Sequence, residues 1–318
     1  LYTSNNTLSF ASGPNLVSFY ELPELGIDSY AIESLAGLFT DGNLYALLGS
    51  ENAALYDDMW MGTLNSIDKL SGYWLKLNDE ELLTYESYPN ESTLQYSLSQ
   101  GANLISFPSD MTYGVEDALP ESLDGVVTSI LSEGESAIYV EGSWAGSLSE
   151  FEGFKGYWFI SNAPVDFQFD LDGGALARTI FTPKQYLAGY EYNQSTMQSF
   201  YYIKEVPMAE LGDWVIAYND DVVVGAREWT GSMTDVPVMG YDGDEYSLGY
   251  IQQDECPEFK LYKTSTGQLI DLYSEGHMPC FANNTTPILS RLLDTQDEVA
   301  NSVVLKGAYP NPFNPVTN

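Results

Sequence analysis

Asn15-Leu16-Val17-Ser18-Phe19 is the first copy of an internal repeat, because the same short run of β-forming residues recurs 88 positions later as Asn103-Leu104-Ile105-Ser106-Phe107. Three further blocks recur in the same order: residues 33–37 with 121–125, 60–64 with 144–148, and 72–75 with 156–159. The first of these keeps the spacing of 88, and the other two are spaced by 84. The pattern predicts two tandem modules, residues 1–88 and 89–169, with a four-residue deletion between the second and third blocks.

The repeated blocks have the composition of β-strands. Leu-Val-Ser-Phe and Leu-Ile-Ser-Phe are β-type runs, and Gly72-Tyr73-Trp74-Leu75 joins a bend residue to aromatic residues that favour strands. Residues 28–36 predict one short helix between them. Because each module alone has too little surface to bury, we expect the two copies to pack together.

The repeated tryptophans have two interpretations. A bulky ring that is kept at the same position of both copies is typical of a core, so we predict that Trp74 and Trp158 anchor their own modules. Trp60 and Trp144 stand beside small residues and are candidate ligand-binding residues, as exposed platforms for a sugar ring.

Residues 170–292 predict a third module. Two hairpins are indicated, one joining residues 213–218 to 222–227 and the other joining residues 259–263 to 268–272. Closely spaced antiparallel hairpins are typical of a β-sandwich. Residues 293–304 are polar and predict a linker.

The two cysteines, Cys256 and Cys280, predict a disulfide in the third module. The loop that it closes has about 25 residues, which corresponds to roughly 3 kcal/mol of stabilisation in the chain-entropy model. Two buried free thiols are the alternative. A structural zinc site is not expected, because His277 is the single histidine.

The chain is strongly acidic. Lys and Arg total 11 and Asp and Glu total 46, so the formal net charge is −35. This charge argues against a nucleic-acid partner and against docking on an anionic membrane. No apolar run is long enough to span a membrane. The partners that we expect are further copies of the chain, other surface proteins or glycans.

Two acidic segments are candidate calcium sites. Asp242, Asp244 and Glu245 surround one glycine, and Asp170 and Asp172 precede another. Carboxylates spaced by two on a tight turn suit Ca²⁺, which prefers oxygen ligands. The alternative is an acidic turn without an ion, because neither segment completes a twelve-residue calcium loop.

Residues that could carry catalysis are few. Any Ser-His-Asp or Cys-His arrangement must use His277, which lies between Gly276 and Met278 in a predicted loop. Glycoside hydrolysis needs two carboxylates alone, yet no pair stands out among 46. We therefore do not expect an enzyme, and no catalytic residue is assigned.

The C-terminal residues 305–317 read Leu-Lys-Gly-Ala-Tyr-Pro-Asn-Pro-Phe-Asn-Pro-Val-Thr. This run resembles the start of the C-terminal sorting domain of bacterial proteins that are exported by the type IX secretion system. The resemblance covers about a dozen residues, and it implies that residues 305–318 begin a small β-sandwich. It also implies an extracellular or cell-surface location. The tandem Asn-Leu-Ile-Ser-Phe and Gly-Tyr-Trp repeats likewise resemble those of large bacterial surface proteins.

Together these patterns predict an all-β protein of tandem small β-sandwich-like modules with a few short helical turns. The expected function is that of an extracellular structural or adhesive protein, as a subunit of a cell-surface fibre, layer or appendage. The alternatives are a carbohydrate-binding surface module and a secreted glycoside hydrolase.

Overall fold

The computed structural model describes residues 3–89, 93–172 and 186–294, together with the backbone of residues 177–178. Strands account for 47% of the residues and helices for 5%, in several small sheets. The predicted all-β fold of β-sandwich-like modules is therefore confirmed. Residues 295–304 of the predicted linker and the predicted sorting-domain start, 305–318, lie outside the described residues. No helix in the described part of the chain is long and apolar enough to cross a membrane.

We refer to residues 3–89, 93–172 and 186–294 as modules 1, 2 and 3. Module 1 contains β1 (Ser4–Phe10), β2 (Gly13–Ser18), β3 (Ser29–Ala31), α1 (Ile32–Ala36), β4 (Leu44–Leu48), β5 (Ala53–Asp57), β6 (Met59–Gly62), β7 (Ser66–Asp68), β8 (Gly72–Leu77) and β9 (Glu81–Ser87). Its main sheet has the order β2-β8-β4-β5-β6, with β1 paired to β9 and β3 to β7.

Module 2 contains β10 (Tyr96–Leu98), β11 (Gly101–Ser106), β12 (Met111–Gly114), α2 (Val115–Ala118), a 3-10 turn (Glu121–Leu123), β13 (Val127–Leu131), β14 (Ser136–Val140), β15 (Ser143–Gly146), β16 (Glu150–Phe151), β17 (Gly156–Ser161) and β18 (Val165–Phe167). Strand β19 (Ala177–Arg178) adds to β12. The main sheet has the order β11-β17-β13-β14-β15, which repeats the order of module 1 strand for strand.

Module 3 contains β20 (Gln198–Ile203), β21 (Trp214–Asn219), β22 (Val222–Glu228), β23 (Thr234–Met239), a 3-10 turn (Glu245–Ser247), β24 (Glu258–Lys263), β25 (Gln268–Ser274), β26 (Ile288–Leu289) and β27 (Leu292–Leu293). Two sheets, β23-β20-β26 and β22-β21-β24-β25-β27, enclose its core. The predicted hairpins correspond to β21–β22 and β24–β25.

The structure shifts one of the repeated blocks. Residues 33–37 lie in and just after helix α1, whereas residues 121–125 follow helix α2. The side-chain amide of Asn78 donates to Gly42 O at 2.9 Å, and that of Asn162 donates to Gly125 O at 2.8 Å. Gly42 is therefore the counterpart of Gly125, and the sequence match of this block was wrong by five residues. The residues that module 2 lacks lie before its helix.

The repeated tryptophans are buried, but not in the cores of their own modules. Because strand residues alternate between faces, Tyr73 and Leu75 enter the core of module 1 while Trp74 points to the opposite face. Trp158 does the same in module 2. Both join a cluster that draws on all three modules, here called the shared cluster: Leu16, Trp74, Leu104, Leu131, Ile138, Trp158, Phe200 and Tyr202. The prediction that each tryptophan anchors its own module was wrong in this respect.

Modules 1 and 2 contact each other reciprocally. Ser18 N–H donates to Phe154 O at 2.8 Å, and its counterpart Ser106 donates to Leu70 O at 2.9 Å. Strand glycines allow this approach, because a Cβ on Gly72 would lie 2.9 Å from Ile105 O and 3.1 Å from a neighbouring glycine Cα. The duplicated modules are thus packed as an approximate two-fold pair. The exact module boundaries stay predictions from the sequence.

Replacing Gly72 with alanine should lower the free energy of unfolding by about 1–3 kcal/mol, because the added methyl group must push two backbones apart. Urea denaturation followed by tryptophan fluorescence measures this. Gly276→Ala is the matched control, since a Cβ there meets no atom within 4 Å. Equal stability of the two variants would contradict the close packing of the modules.

Candidate binding cleft

A cleft of about 520 Å³ opens in module 1 between the β5–β6 hairpin and the loop that follows helix α1. It is lined by Glu33, Ala36, Gly37, Phe39, Thr40, Asp41, Gly42, Leu44, Tyr56, Asp58, Met59 and Trp60. The lining combines aromatic rings with three carboxylates and the hydroxyl groups of Thr40 and Tyr56. One of the two tryptophans predicted to bind ligand therefore lies in a cleft.

The aromatic wall of the cleft is formed by Tyr56 and Trp60. These residues are paired across strands β5 and β6, and their ring centroids are 5.5 Å apart. Trp60 packs against the core of module 1, which holds its ring in place, while Tyr56 is 42% exposed. A ring that is fixed on one side and open on the other presents an apolar face to a ligand.

The opposite wall is held by Glu81 at the start of strand β9. One carboxylate oxygen accepts from Thr40 N–H at 2.7 Å, and the other accepts from the Asn43 side-chain amide at 2.6 Å. Partial burial raises the pKa of Glu81, but the hydrogen bonds from Asn43 and Thr40 outweigh it and hold the pKa below its ordinary value. The loop that lines the cleft is therefore fixed by a charged clamp.

Module 2 lacks this clamp. The counterparts of Thr40, Asn43 and Glu81 are Leu123, Val126 and Val165. Leu123 is buried in the core of module 2, and so is Leu119, the counterpart of Ala36. Three polar residues and one small residue of module 1 are thus replaced together by apolar side chains in module 2. The cleft wall of module 1 is polar for this reason, and the equivalent region of module 2 is apolar.

Trp144 occupies the position of Trp60 but has different neighbours. It pairs with Tyr139 at 5.4 Å between ring centroids, and its backbone N–H donates to Glu116 at 3.2 Å. Burial and the nearby Asp124 carboxylate raise the pKa of the Tyr139 hydroxyl, and Asp124 belongs to the loop that in module 1 forms the cleft wall. Trp144 is half-buried against the core of module 2.

The acidic segment around Asp242 contacts module 1. Lys76 Nζ lies 3.1 Å from Asp242 and 2.8 Å from Asp244, and Tyr45 donates its hydroxyl proton to Asp244 at 3.1 Å. Burial raises the pKa of Asp242, but the hydrogen bond from Tyr246 and the charge of Lys76 outweigh this effect. The pKa of Asp242 is therefore below its ordinary value. Glu245 is exposed.

The second acidic segment is an exposed turn. Asp170 and Asp172 are both exposed, and Asp172 N–H donates to the Asp170 carboxylate at 3.2 Å. Within the described residues, no group of three or more His, Cys, Asp and Glu side chains is arranged to hold a metal ion. Calcium binding at either segment stays a prediction, which melting curves with and without EDTA would test.

Cys256 and Cys280 form the predicted disulfide. The bond joins the chain before β24 to the segment after β25, so it closes a loop around that hairpin. His277 is exposed in the same segment.

Sequence reasoning found Trp60 but missed the clamp and the loop that face it. Glu81 was one of 46 acidic residues, and no single-residue feature marks it. The available signal was the difference between the copies, since Glu81 aligns with Val165 once the strands are in register. Comparison of the chain with protein-family models, with curated proteins and with solved structures gave no match.

Replacing Glu81 with glutamine should lower the free energy of unfolding at pH 7 by about 1 kcal/mol, because partly solvated charge-assisted hydrogen bonds are lost. The folded-state pKa of Glu81 is depressed, so its contribution is present above its ordinary pKa of 4.5 and is lost as the pH falls through the folded-state value. Urea denaturation at pH 7 and at successively lower pH measures both effects.

Glu80→Gln is the control, since Glu80 is exposed and next to the clamp. The account of the cleft wall is wrong if the stability difference between E81Q and wild type is the same at every pH, or if E80Q behaves like E81Q.

Proposed function

We propose that the protein is an extracellular adhesive protein of the cell surface that binds carbohydrate in the cleft of module 1. The disulfide Cys256–Cys280 supports a location outside the cytoplasm, because such bonds persist in oxidising compartments. The acidic surface, with a net charge of −35, supports solubility and argues against nucleic acid as the ligand.

The observation that carries the proposal is the aromatic wall of Tyr56 and Trp60 beside carboxylates. The hydrogen-bearing faces of a sugar ring are apolar and can stack on the exposed aromatic rings. Its hydroxyl groups can donate to Glu33, Asp41 and Asp58. A small number of polar groups around an apolar platform is the usual composition of a specific small-ligand site.

The charges of the cleft restrict the class of sugar. Glu33, Asp41 and Asp58 add three negative charges to a chain that is already strongly acidic. Anionic sugars such as uronic acids or sulfated glycans would be repelled at low salt. The cleft therefore favours neutral or amino sugars.

A second role, as a structural subunit of a surface fibre, layer or appendage, is supported by the packing of the modules. The shared cluster buries side chains from all three modules, and polar contacts add to it on both sides of module 3. Modules that share a buried apolar interface move little relative to one another, which suits a structural subunit as well as an adhesive protein.

Replacing Trp60 with alanine should abolish binding to neutral or amino glycans, with a loss of at least about 2 kcal/mol, because the stacking surface is removed. A glycan array identifies the sugar, and isothermal titration calorimetry on that sugar measures the loss. Trp144→Ala is the matched control, since Trp144 holds the same position in module 2.

The two tryptophan variants separate the possible outcomes. Binding that survives W60A and is lost in W144A would move the site to module 2. An array on which the wild-type protein binds no neutral or amino sugar would remove the carbohydrate-binding proposal.

A further inference from the structure

The β5–β6 hairpin has an apolar outer face that lies opposite to the cleft. Leu55 pairs with Met61, so these two side chains share that face of the sheet, and Met59, which pairs with Asp57 at the end of the hairpin, borders both this face and the cleft. Leu55, Met61 and Met59 are 55%, 49% and 65% exposed, respectively. Tyr56 and Trp60 point to the other face, towards the cleft. An exposed group of three large apolar side chains on an edge hairpin is unusual for a protein this acidic.

The same face of module 2 is covered. The counterpart of Leu55 is Ile138, which is 4% exposed and packs in the shared cluster with Phe200 and Tyr202 of module 3. Two serines fix this contact, since the Ser136 and Ser147 hydroxyls donate to Asp235 at 3.0 and 2.6 Å. The chain itself therefore shows that this sheet face is suited to an interface.

Module 1 has no such cover on its hairpin. The counterparts of Ser136 and Ser147 are Ala53 and Thr63, so the polar contacts to Asp235 have no equivalent there. On this face module 1 has Asp57 where module 2 has Val140, and among the described residues nothing like Phe200 or Tyr202 covers Leu55 and Met61.

The edge strand of the main sheet is β6 in module 1 and β15 in module 2. Strand β6 is accessible for pairing with another strand, whereas β15 is not. Trp144 N–H points away from β14, because it donates to Glu116 of helix α2. The counterparts are Trp60 and Glu33, which both line the cleft, and among the described residues no hydrogen bond like that of Trp144 with Glu116 joins them. A carboxylate over an edge N–H prevents pairing with another strand, and module 1 lacks this protection.

The exposed patch continues an existing interface. Towards the centre of the same sheet, module 3 covers module 1 through the contacts of Lys76 and Tyr45 with Asp244. Leu48 and Trp74 are packed in the shared cluster on this face. The cover ends at strand β4, and Leu55 and Met61 on the next two strands are exposed.

We propose that a second copy of this chain docks at the edge of this sheet, with strand β6 of one copy pairing antiparallel to β6 of the other about a two-fold axis, so that the two patches join into one apolar face. With Trp60 at the centre, Met59 of each copy faces Met61 of the other, so the contact is self-complementary and apolar. The antiparallel arrangement sends the acidic turns at Asp57 and Asp58 to opposite ends of the pair. This inference does not rest on glycan binding.

Charge sets the conditions for this association. Each copy has a net charge of −35, so two copies repel each other at low salt. Salt screens that repulsion and strengthens apolar contact. The dimer should therefore become more stable as salt is added, which is the opposite of the behaviour of an interface held by ion pairs.

Sedimentation equilibrium of the full chain at low and high salt tests the proposal. We expect a monomer–dimer equilibrium that tightens with salt, and Met61→Lys should weaken it at least about tenfold although the substitution reduces the repulsive charge. Leu82→Lys is the matched control, because Leu82 is 68% exposed in the same module but lies on β9, away from the patch. Thermal melts confirm that both variants are folded.

The outcomes are distinct. A dimer that is weakened in M61K and kept in L82K supports the proposal. A monomer at every salt concentration, an equilibrium that M61K leaves unchanged, or an equal loss in both variants would overturn it. Because Met61 does not line the cleft, glycan binding by M61K reports separately on the proposed function.

Discussion

Burial of strands β8 and β17 on both faces is the constraint on which the rest of the structure depends. Each strand places a tyrosine in its own module and a tryptophan in the shared cluster. Within the described part of the chain, the buried indole N–H groups of Trp74 and Trp158 have no hydrogen-bond partner, which costs about 1–3 kcal/mol for each group. The apolar area buried by the two indoles offsets that cost, and it joins three modules that are each small.

Module 3 makes the duplicated pair asymmetric. It covers the outer sheet face of module 2 and reaches only part of the equivalent face of module 1. The two copies also differ in the loop that follows the helix and in the strand that meets this loop. In module 2 these positions are the apolar Leu119, Leu123 and Val165, and both leucines are buried in the core. In module 1 they are Ala36, Thr40 and Glu81, beside an open cleft. The open cleft and the packing against module 3 are thus divided between two copies of one fold.

The strands, the hairpins of module 3 and the disulfide could be predicted from the sequence, because they depend on local composition and on spacing. The roles of the tryptophans could not. Trp74 and Trp158 are conspicuous in sequence, yet whether they face their own module or its neighbour depends on which side of the strand the third module covers. The contact of Asp242 with Lys76, which is 166 positions away, could not be predicted either. Contacts between modules leave no periodic signal in the chain.

The central claim is that the shared cluster makes the three modules one cooperative unit. Differential scanning calorimetry of the full chain tests this claim most directly. The account predicts a single unfolding transition whose calorimetric and van't Hoff enthalpies agree. Separate transitions, with one module melting well before the others, would contradict it.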